Sequence, residues 1–90
     1  MLSIRYSTQF KKDFKVIVKR GYNPQLLQEV LEILSQEQPL PKKYKDHKLT
    51  GNYESHRECH ITPDWLLIYK IEHKVLTLSL TRTGTHSDLF

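Results

Sequence analysis

The first half of the chain changes from a strand-like to a helix-like spacing of hydrophobic residues. Apolar and polar residues alternate from Leu2 to Tyr6, which predicts a half-buried first strand. Apolar residues then recur at helical spacing from Phe10 to Val18, behind a capping Ser7 or Thr8 and ahead of Gly21. This spacing predicts a first helix that starts at the cap and ends at the glycine.

A second helix is predicted directly afterwards. Asn23 offers a cap, and Pro24 suits the first helical position, where its missing N–H costs nothing. A broad apolar stripe follows, formed by Leu26, Leu27, Val30, Leu31, Ile33 and Leu34. The helix should end near Gln36, because Pro39 and Pro41 cannot continue it. The two helices are expected to form a hairpin that covers one face of a sheet.

The second half of the chain predicts strands joined by short turns. In Tyr53–Ile61, the least regular of them, His60 falls on the opposite side from Cys59 and should face away from the helices. Turn residues at Thr62–Asp64 lead into Trp65–Ile71. This strand is apolar on both sides, which is typical of the centre of a sheet.

The last predicted strand runs from Val75 to Arg82, after a reversal at Glu72–Lys74. Its inward-facing residues should be Leu76, Leu78 and Leu80. Strict alternation would place Arg82 on the leucine side, so a bulge or a strand end is needed to bring it to the other face. The order of the strands in the sheet is not fixed by periodicity.

Together these elements predict a single α+β domain over residues 1–90. An N-terminal strand and a two-helix hairpin are followed by three antiparallel strands, with the helices packed on one face of the sheet. A chain of 90 residues can bury one modest core. The opposite face of the sheet is expected to be open.

Composition and charge narrow the classes of function. No apolar run is long enough to span a membrane and the start has no signal-peptide core, so a cytoplasmic protein without a membrane partner is expected. The single Cys59 cannot form an internal disulfide. The net charge of +4 favours an anionic partner, and four lysines around His47 form a candidate phosphate-binding rim: Lys42, Lys43, Lys45 and Lys48.

Several residues with the chemistry of phosphodiester cleavage lie near predicted strand ends. Two histidines can act as paired base and acid near neutral pH, because the ordinary pKa of imidazole is about 6.5. Arginine adds a permanent charge and a planar set of donors that suits a phosphate. The pattern favours a metal-free phosphodiesterase built from His47, His60, Asp64, Trp65, Arg82 and His86.

Plainer interpretations compete at each of these positions. Histidines in polar loops are most often exposed surface residues, and Asp64 is an ordinary turn residue. Trp65 could simply anchor a strand, and Arg82 could pair with Glu58 or Asp88. A metal hydrolase would use the histidines and Asp64 as ligands, although they lack the short spacing of a ligand pair. A nucleic-acid-binding module would explain the lysines but leaves the acid and base residues without a role.

Three motifs occur in order in the second half of the chain: YKDHKLTG at 44–51, RECHITPDWLLIYK at 57–70 and RTGTHSDLF at 82–90. Together they resemble the RelE/ParE superfamily of bacterial toxins, and within it the YafQ type of ribosome-dependent mRNA endonuclease. The resemblance implies catalytic positions at His47, His60, Asp64, Arg82 and His86. It also implies that Trp65 and Phe90 contact RNA bases, since every base offers a face for stacking.

The resemblance also implies a reaction. The ribose 2′-hydroxyl of an mRNA in the ribosomal A site would attack its own 3′-phosphate, leaving a 2′,3′-cyclic phosphate and a 5′-hydroxyl, without metal or cofactor. His86 is assigned as the general acid, and His47 or His60 as the base. Asp64 would orient or assist, and Arg82 would stabilise charge on the phosphoryl oxygens.

Two further expectations come from the resemblance. A cognate antitoxin should neutralise the toxin, and the pair should repress its own promoter, so that contact with DNA occurs only through the antitoxin complex. The alternative within the superfamily is a non-enzymatic toxin of the ParE kind, which binds DNA gyrase. That activity would not need the histidines.

Overall fold

The computed structural model describes all 90 residues of the chain. Five strands and three helices follow one another in the order β1 (Ser3–Tyr6), α1 (Thr8–Lys19), α2 (Pro24–Ser35), β2 (His47–Lys48), β3 (Arg57–Thr62), β4 (Trp65–Glu72), β5 (Thr77–Gly84) and α3 (His86–Leu89). Short 3₁₀ turns precede β2, β3 and β5, at Lys42–Tyr44, Gly51–Tyr53 and His73–Val75. None of the helices is long and apolar enough to cross a membrane.

The first two helices begin and end where the sequence predicts. The Ser7 hydroxyl accepts the backbone N–H of Phe10 at the start of α1, and Asn23 caps α2 in the same way. Pro24 occupies the first turn of α2, and Gln36 is its C-cap. Local signals suffice here, because a capping side chain acts within three residues of itself.

The sheet has the strand order β1-β5-β4-β3-β2. β1 runs parallel to β5, and the other three pairs are antiparallel. The main core of 15 buried residues lies between this sheet and the helical hairpin of α1 and α2. The predicted α+β architecture, with helices on one face of a mainly antiparallel sheet, is confirmed.

The second face of the sheet is not fully open, which corrects the prediction. Leu66 and Ile68 of β4 point to this face and are buried beneath Leu89 of α3, with Leu49 and Tyr53 packed at the side. A central strand that is apolar on both sides needs cover on both. The sequence reading missed the two elements that flank this face, β2 and α3.

Two strand predictions also need correction. The irregular strand starts at Arg57 rather than at Tyr53, because Gly51–Tyr53 forms a 3₁₀ turn instead. Leu76 was expected to face inward but is 57% exposed, and its backbone is left-handed with φ of 47°. It belongs to the turn before β5, so the leucine alternation begins only at Leu78.

A bulge in β5 places Arg82 on the second face of the sheet. Ile68 of β4 pairs with Arg82, but the next residue, Tyr69, pairs with Leu80. One residue of β5, Thr81, is therefore extra, and the alternation of side chains shifts by one position. Strict alternation required a bulge or a strand end at this point, and the structure has the bulge.

Candidate active site

One row of residues crosses four neighbouring strands on the second face. His47 of β2 pairs with Glu58 of β3, Glu58 pairs with Ile68 of β4, and Ile68 pairs with Arg82 of β5. Neighbouring strands lie about 4.8 Å apart, so the backbones of Glu58 and Arg82 are separated by about 10 Å. His60 lies in the adjacent row, opposite Leu66. The sheet register thus brings three of the predicted catalytic residues onto one surface.

A buried glutamate joins the two histidines of β2 and β3. The Nε2 atom of His47 lies 3.3 Å from Oε1 of Glu58, and Nε2 of His60 lies 3.9 Å from the same oxygen. Glu58 is only 6% exposed, and its Oε2 has no hydrogen-bond partner within the protein. Sequence reasoning did not include Glu58 in the site. The alternation of β3 could have indicated it, because Glu58 and His60 are two residues apart and their side chains lie on the same face of the strand.

Backbone carbonyls hold the other nitrogen of each ring. Nδ1 of His47 is 2.7 Å from the carbonyl oxygen of Lys45, whose left-handed backbone has φ of 49°. Nδ1 of His60 is 3.4 Å from the carbonyl oxygen of Pro63, in the turn between β3 and β4. A carbonyl oxygen can only accept, so both Nδ1 atoms carry the proton of these contacts. The Nε2 atom of each ring, on its other side, faces Glu58.

Arg82 is held by an aspartate of α1 instead of either predicted partner. Its Nε and Nη2 donate to the two carboxylate oxygens of Asp13, each at 2.9 Å. The hydrogen bonds to Asp13 raise the pKa of Arg82, against the effect of burial, and Tyr53 contributes in the same direction. The plainer interpretation, in which Arg82 pairs with Glu58 or Asp88, is wrong. Arg82 is a fixed positive charge at the end of the residue row.

His86 lies on α3 within a small aromatic group. Its ring is 5.1 Å from that of Phe90, and the edge of Tyr53 packs against Phe90 at 6.0 Å. Phe90 is 56% exposed. His86 and Phe90 therefore offer a partly exposed ring surface beside Arg82, because Tyr53 contacts both Arg82 and Phe90.

Two contacts of Asp88 fix the position of α3. The Thr85 hydroxyl accepts the backbone N–H of Asp88, whose carboxylate accepts the backbone N–H of Thr85, forming a capping box. Arg20, just after α1, donates two hydrogen bonds to the same carboxylate, at 2.6 and 3.1 Å. The hydrogen bond from Arg20 is the main reason why the pKa of Asp88 lies well below its ordinary value.

Trp65 does not have the predicted role. It has no exposed surface, and its Nε1 donates to the Thr83 hydroxyl at 2.8 Å within the main core. Its ring also packs edge-on against Tyr22 at 5.5 Å. A ring enclosed on all sides cannot stack on a nucleotide base. The anchoring interpretation of Trp65 is the one that the structure supports.

Asp64 contacts no histidine. Its carboxylate accepts hydrogen bonds from the Tyr22 hydroxyl at 2.6 Å and from the Thr62 hydroxyl at 2.9 Å. The hydrogen bond from Tyr22 is the main cause of the lowered pKa of Asp64. Through these hydrogen bonds Asp64 stabilises the turn that contains Pro63, and the Pro63 carbonyl faces His60. Any assistance that Asp64 gives to a histidine is therefore indirect, through this turn.

The lysine rim lies beside His60 and His47. All four lysines, Lys42, Lys43, Lys45 and Lys48, are exposed, and none forms an ion pair. Lys43 places its ammonium group 5.1 Å from the centre of the Tyr44 ring. A cavity of about 360 Å³ lies between Lys43, Lys45 and His60. The rim is a free positive surface next to the histidines.

Comparison with known proteins identifies the family. The sequence profile of the bacterial toxins of type II toxin–antitoxin systems called YafQ matches residues 2–90. The chain belongs to the YafQ family. The resemblance seen in the sequence motifs is thereby confirmed.

Relatives of this YafQ-family toxin share its whole length. The mRNA interferase toxin YafQ of Escherichia coli K12 is 43% identical over 88 residues, which cover 97% of this chain and 94% of that protein. A crystal structure of a metal-bound toxin from Helicobacter pylori has a TM-score of 0.94 and 50% identity, with both chains fully covered. The toxin in the E. coli DinJ–YafQ complex has a TM-score of 0.89 and 41% identity, covering 100% of this chain and 99% of that one.

A metal hydrolase would need the histidines and Asp64 to converge as ligands of one metal ion. No group of three or more histidine, cysteine, aspartate or glutamate side chains is placed to hold a metal ion in this YafQ-family toxin. Asp64 is bound to Tyr22 and Thr62, and His86 packs on Phe90. The four-residue ligand set considered from the sequence therefore does not assemble in this structure.

Proposed function

We propose that this toxin is an mRNA interferase, a metal-independent endoribonuclease that cleaves mRNA in the ribosomal A site and therefore acts in the cytoplasm. The observation that carries the proposal is the row from His47 through Glu58 to Arg82, with His60 beside it. It puts the two candidate bases and a fixed positive charge on one surface. The E. coli relative, 43% identical, is named as an mRNA interferase.

The proposed reaction is attack of the ribose 2′-hydroxyl on the neighbouring 3′-phosphate. His47 or His60 takes the hydroxyl proton, and His86 gives a proton to the leaving 5′-oxygen. Support comes from the sheet register: His60 pairs with Leu66, and Leu66 pairs with Gly84, two residues before His86. His60 and His86 therefore lie on opposite sides of Leu66 in the sheet. This arrangement is compatible with a phosphodiester bound between the base and the acid.

Arg82 is proposed to stabilise the charge that develops on the phosphoryl oxygens. Nε and one N–H of Nη2 are engaged by Asp13, which leaves three of the five guanidinium N–H groups. A donor that is already fixed needs no reorganisation during the reaction, and such a contact can contribute about 3 kcal/mol. Asp64 contributes indirectly, by holding the turn whose Pro63 carbonyl orients His60.

RNA binding is proposed for the lysine rim and for Phe90. The four rim lysines have no acidic partner, so their charges are available to phosphates. Phe90 is exposed at the far side of the site, where its ring can stack on a base. Trp65 is left out because it is buried.

A cognate antitoxin is proposed as the protein partner. The similar E. coli toxin is in a complex named DinJ–YafQ, and the fold of the two toxins matches over the full chain. We expect the antitoxin to neutralise this toxin and DNA to be contacted only through the complex of the two. The net charge of +4 suits an acidic partner segment.

The test is induction of the toxin in cells, followed by mapping of mRNA 5′ ends. New 5′-hydroxyl ends should appear within translated regions, in the reading frame, and should be absent for untranslated transcripts. The Arg82→Ala variant, expressed to the same level, is the matched control and should give few such ends. Growth arrest with intact mRNA and inhibited DNA gyrase would overturn the proposal in favour of a ParE-like activity.

A further inference from the structure

Glu58 occupies an unusual position for an acidic side chain. It is buried, one oxygen faces Nε2 of both His47 and His60, and the other oxygen has no partner within the protein. A buried carboxylate is costly unless an opposite charge or hydrogen bonds compensate it. No lysine or arginine pairs with Glu58, so only the two histidines can provide that charge.

The hydrogen bonds of the two rings decide which histidine is charged. Nδ1 of His47 donates to the Lys45 carbonyl at 2.7 Å, so a neutral His47 would turn the lone pair of Nε2 toward the anionic oxygen of Glu58 at 3.3 Å. That arrangement is repulsive, whereas a second proton on Nε2 makes it an ion pair.

His60 lies farther from Glu58 than His47 does. Its Nδ1 also carries a proton toward a carbonyl oxygen, but its Nε2 is 3.9 Å from Glu58, beyond hydrogen-bonding distance. The charge of Glu58 is already balanced by His47, so the lone pair on Nε2 of His60 is tolerated. A neutral imidazole with a free Nε2 is the form that a general base must have.

We propose that Glu58 is a positioning residue that holds His47 as an imidazolium and leaves His60 as the general base. The assignment rests on the proposed function and resolves its open choice between the two histidines. Nε2 of His60 takes the proton of the 2′-hydroxyl as the oxygen bonds to phosphorus, and the 5′-oxygen leaves with a proton from His86. His47 adds a positive charge beside the site and does not exchange its proton, because its two N–H groups are engaged by the Lys45 carbonyl and Glu58.

The other charged groups of this corner do not replace Glu58. Asp46, next to His47, is bound to Arg57 and to the Tyr69 hydroxyl. Lys45 and Lys48 are exposed on either side of His47, and like charges there oppose a protonated His47. Glu58 is thus the one acidic side chain that faces both imidazoles.

The first test measures the proton state of each ring in the free protein, at neutral pH. Long-range ¹H–¹⁵N NMR spectra should show His47 protonated on both nitrogens and His60 protonated on Nδ1 alone. In Glu58→Gln, which keeps the shape of the side chain, His47 should become neutral, while the exposed His73 serves as an unchanged reference. A neutral His47 in the parent protein, or no change in Glu58→Gln, would overturn the proposal.

The second test is single-turnover cleavage on programmed ribosomes. Glu58→Gln should lower the rate at saturation by about tenfold or more, with the half-saturating ribosome concentration changed by less than about threefold. Glu58→Asp, which keeps the charge, should recover part of the rate. Glu54→Gln removes an exposed carboxylate of the preceding loop and is the control for net charge, so its rate should match the parent. A parent-like saturated rate for Glu58→Gln would overturn the positioning role.

The two tests separate this inference from the proposed function. If the toxin cleaves no RNA, the proposed function fails, but the NMR spectra still report the proton states that Glu58 imposes. If cleavage occurs and the spectra contradict the assigned states, the inference alone fails. Thermal unfolding of Glu58→Gln and Glu58→Asp verifies that a loss of rate is not a loss of fold.

Discussion

Asp13 and Arg82 join α1 to β5 through two parallel hydrogen bonds of 2.9 Å each. The two residues are 69 positions apart in the chain. Asp13 also accepts the backbone N–H of Thr83 and the side-chain amide of Gln9, so its carboxylate is held from several sides. A bidentate pair of this kind fixes the plane of the guanidinium as well as its place.

The Asp13→Asn variant should weaken cleavage without abolishing the fold. An amide accepts through one oxygen only, so Arg82 loses one of its two orienting bonds and its plane is no longer fixed. We expect the saturated rate to fall by about ten- to a hundredfold, the scale of a misplaced catalytic group. Single-turnover cleavage measures the rate, and Thr8→Ala, an exposed position at the start of the same helix, is the control. A parent-like rate for Asp13→Asn would show that Arg82 needs no orientation.

The His86→Ala variant should fold normally and lose at least about a hundredfold in cleavage rate, the usual scale for a positioned acid. His86 contributes one side of a ring contact with Phe90 and no buried hydrogen bond, so little stability is at risk. The measurement is cleavage on programmed ribosomes with the bound fraction determined separately. His73→Ala removes an exposed histidine on the turn before β5 and should be silent. A rate for His86→Ala close to the parent would remove His86 from the mechanism.

The lysine rim should act on binding and not on the chemical step. Replacing Lys42, Lys43 and Lys45 together by glutamine should weaken ribosome association and flatten its dependence on salt, because fewer counterions are released. The cleavage rate of the bound complex should stay within about threefold. The control is the same exchange at Lys11, Lys12 and Lys15 on α1, which removes equal charge elsewhere. Equal salt slopes for the rim variant and the parent would mean that the rim is only a solvated loop.

Substitution of Trp65 should affect the stability of the fold, whereas substitution of Phe90 should affect RNA binding. Trp65→Phe should lower the free energy of unfolding by about 1–3 kcal/mol, through lost core volume and the lost hydrogen bond to Thr83. Phe90→Ala should change stability little, because the ring is exposed, but should weaken engagement of RNA. Urea unfolding and ribosome binding distinguish the two variants. If Trp65→Phe had normal stability but defective RNA binding, Trp65 would have to be assigned to the RNA-binding surface.

The stability of the fold should decrease in acid. Burial raises the pKa of Asp13, but hydrogen bonds from Arg82, Gln9 and Thr83 outweigh it, so the pKa lies below its ordinary 3.8. The pKa of Asp88 is also lowered. Carboxyls with depressed pKa values stabilise the fold above their unfolded pKa, and this stability is lost as pH falls through the folded value.

The free energy of unfolding should therefore fall as the pH drops below about 4, where these two carboxyls take up protons. Urea unfolding at a series of pH values measures the decline. Asp88→Asn should lower stability at neutral pH and shrink the acid-dependent part, because the asparagine cannot titrate. A curve for Asp88→Asn that runs parallel to the parent over the whole range would contradict the role given to this carboxylate.

The sequence by itself determined the elements whose signals are local. Ser7 and Asn23 cap helices within three residues of themselves, and the apolar stripes that follow show which helical face is buried. The alternation in β3 placed His60 opposite Cys59, as the structure has it. The three motifs also indicated the family, because the order and spacing of their histidines and Arg82 can be read directly from the sequence.

The tertiary structure alone decided which of these residues meet. The registers that pair β2 with β3, β3 with β4 and β4 with β5, together with the bulge at Thr81, set the row from His47 to Arg82. Asp13 is far from Arg82 in the chain, so no periodicity relates them. Trp65 is buried in the main core, where its Nε1 donates to Thr83 of β5 and its ring packs against Tyr22, although a tryptophan after a turn is equally compatible with an exposed site. Periodicity assigns a side chain to a face of its own element, whereas its partners depend on how the elements are packed.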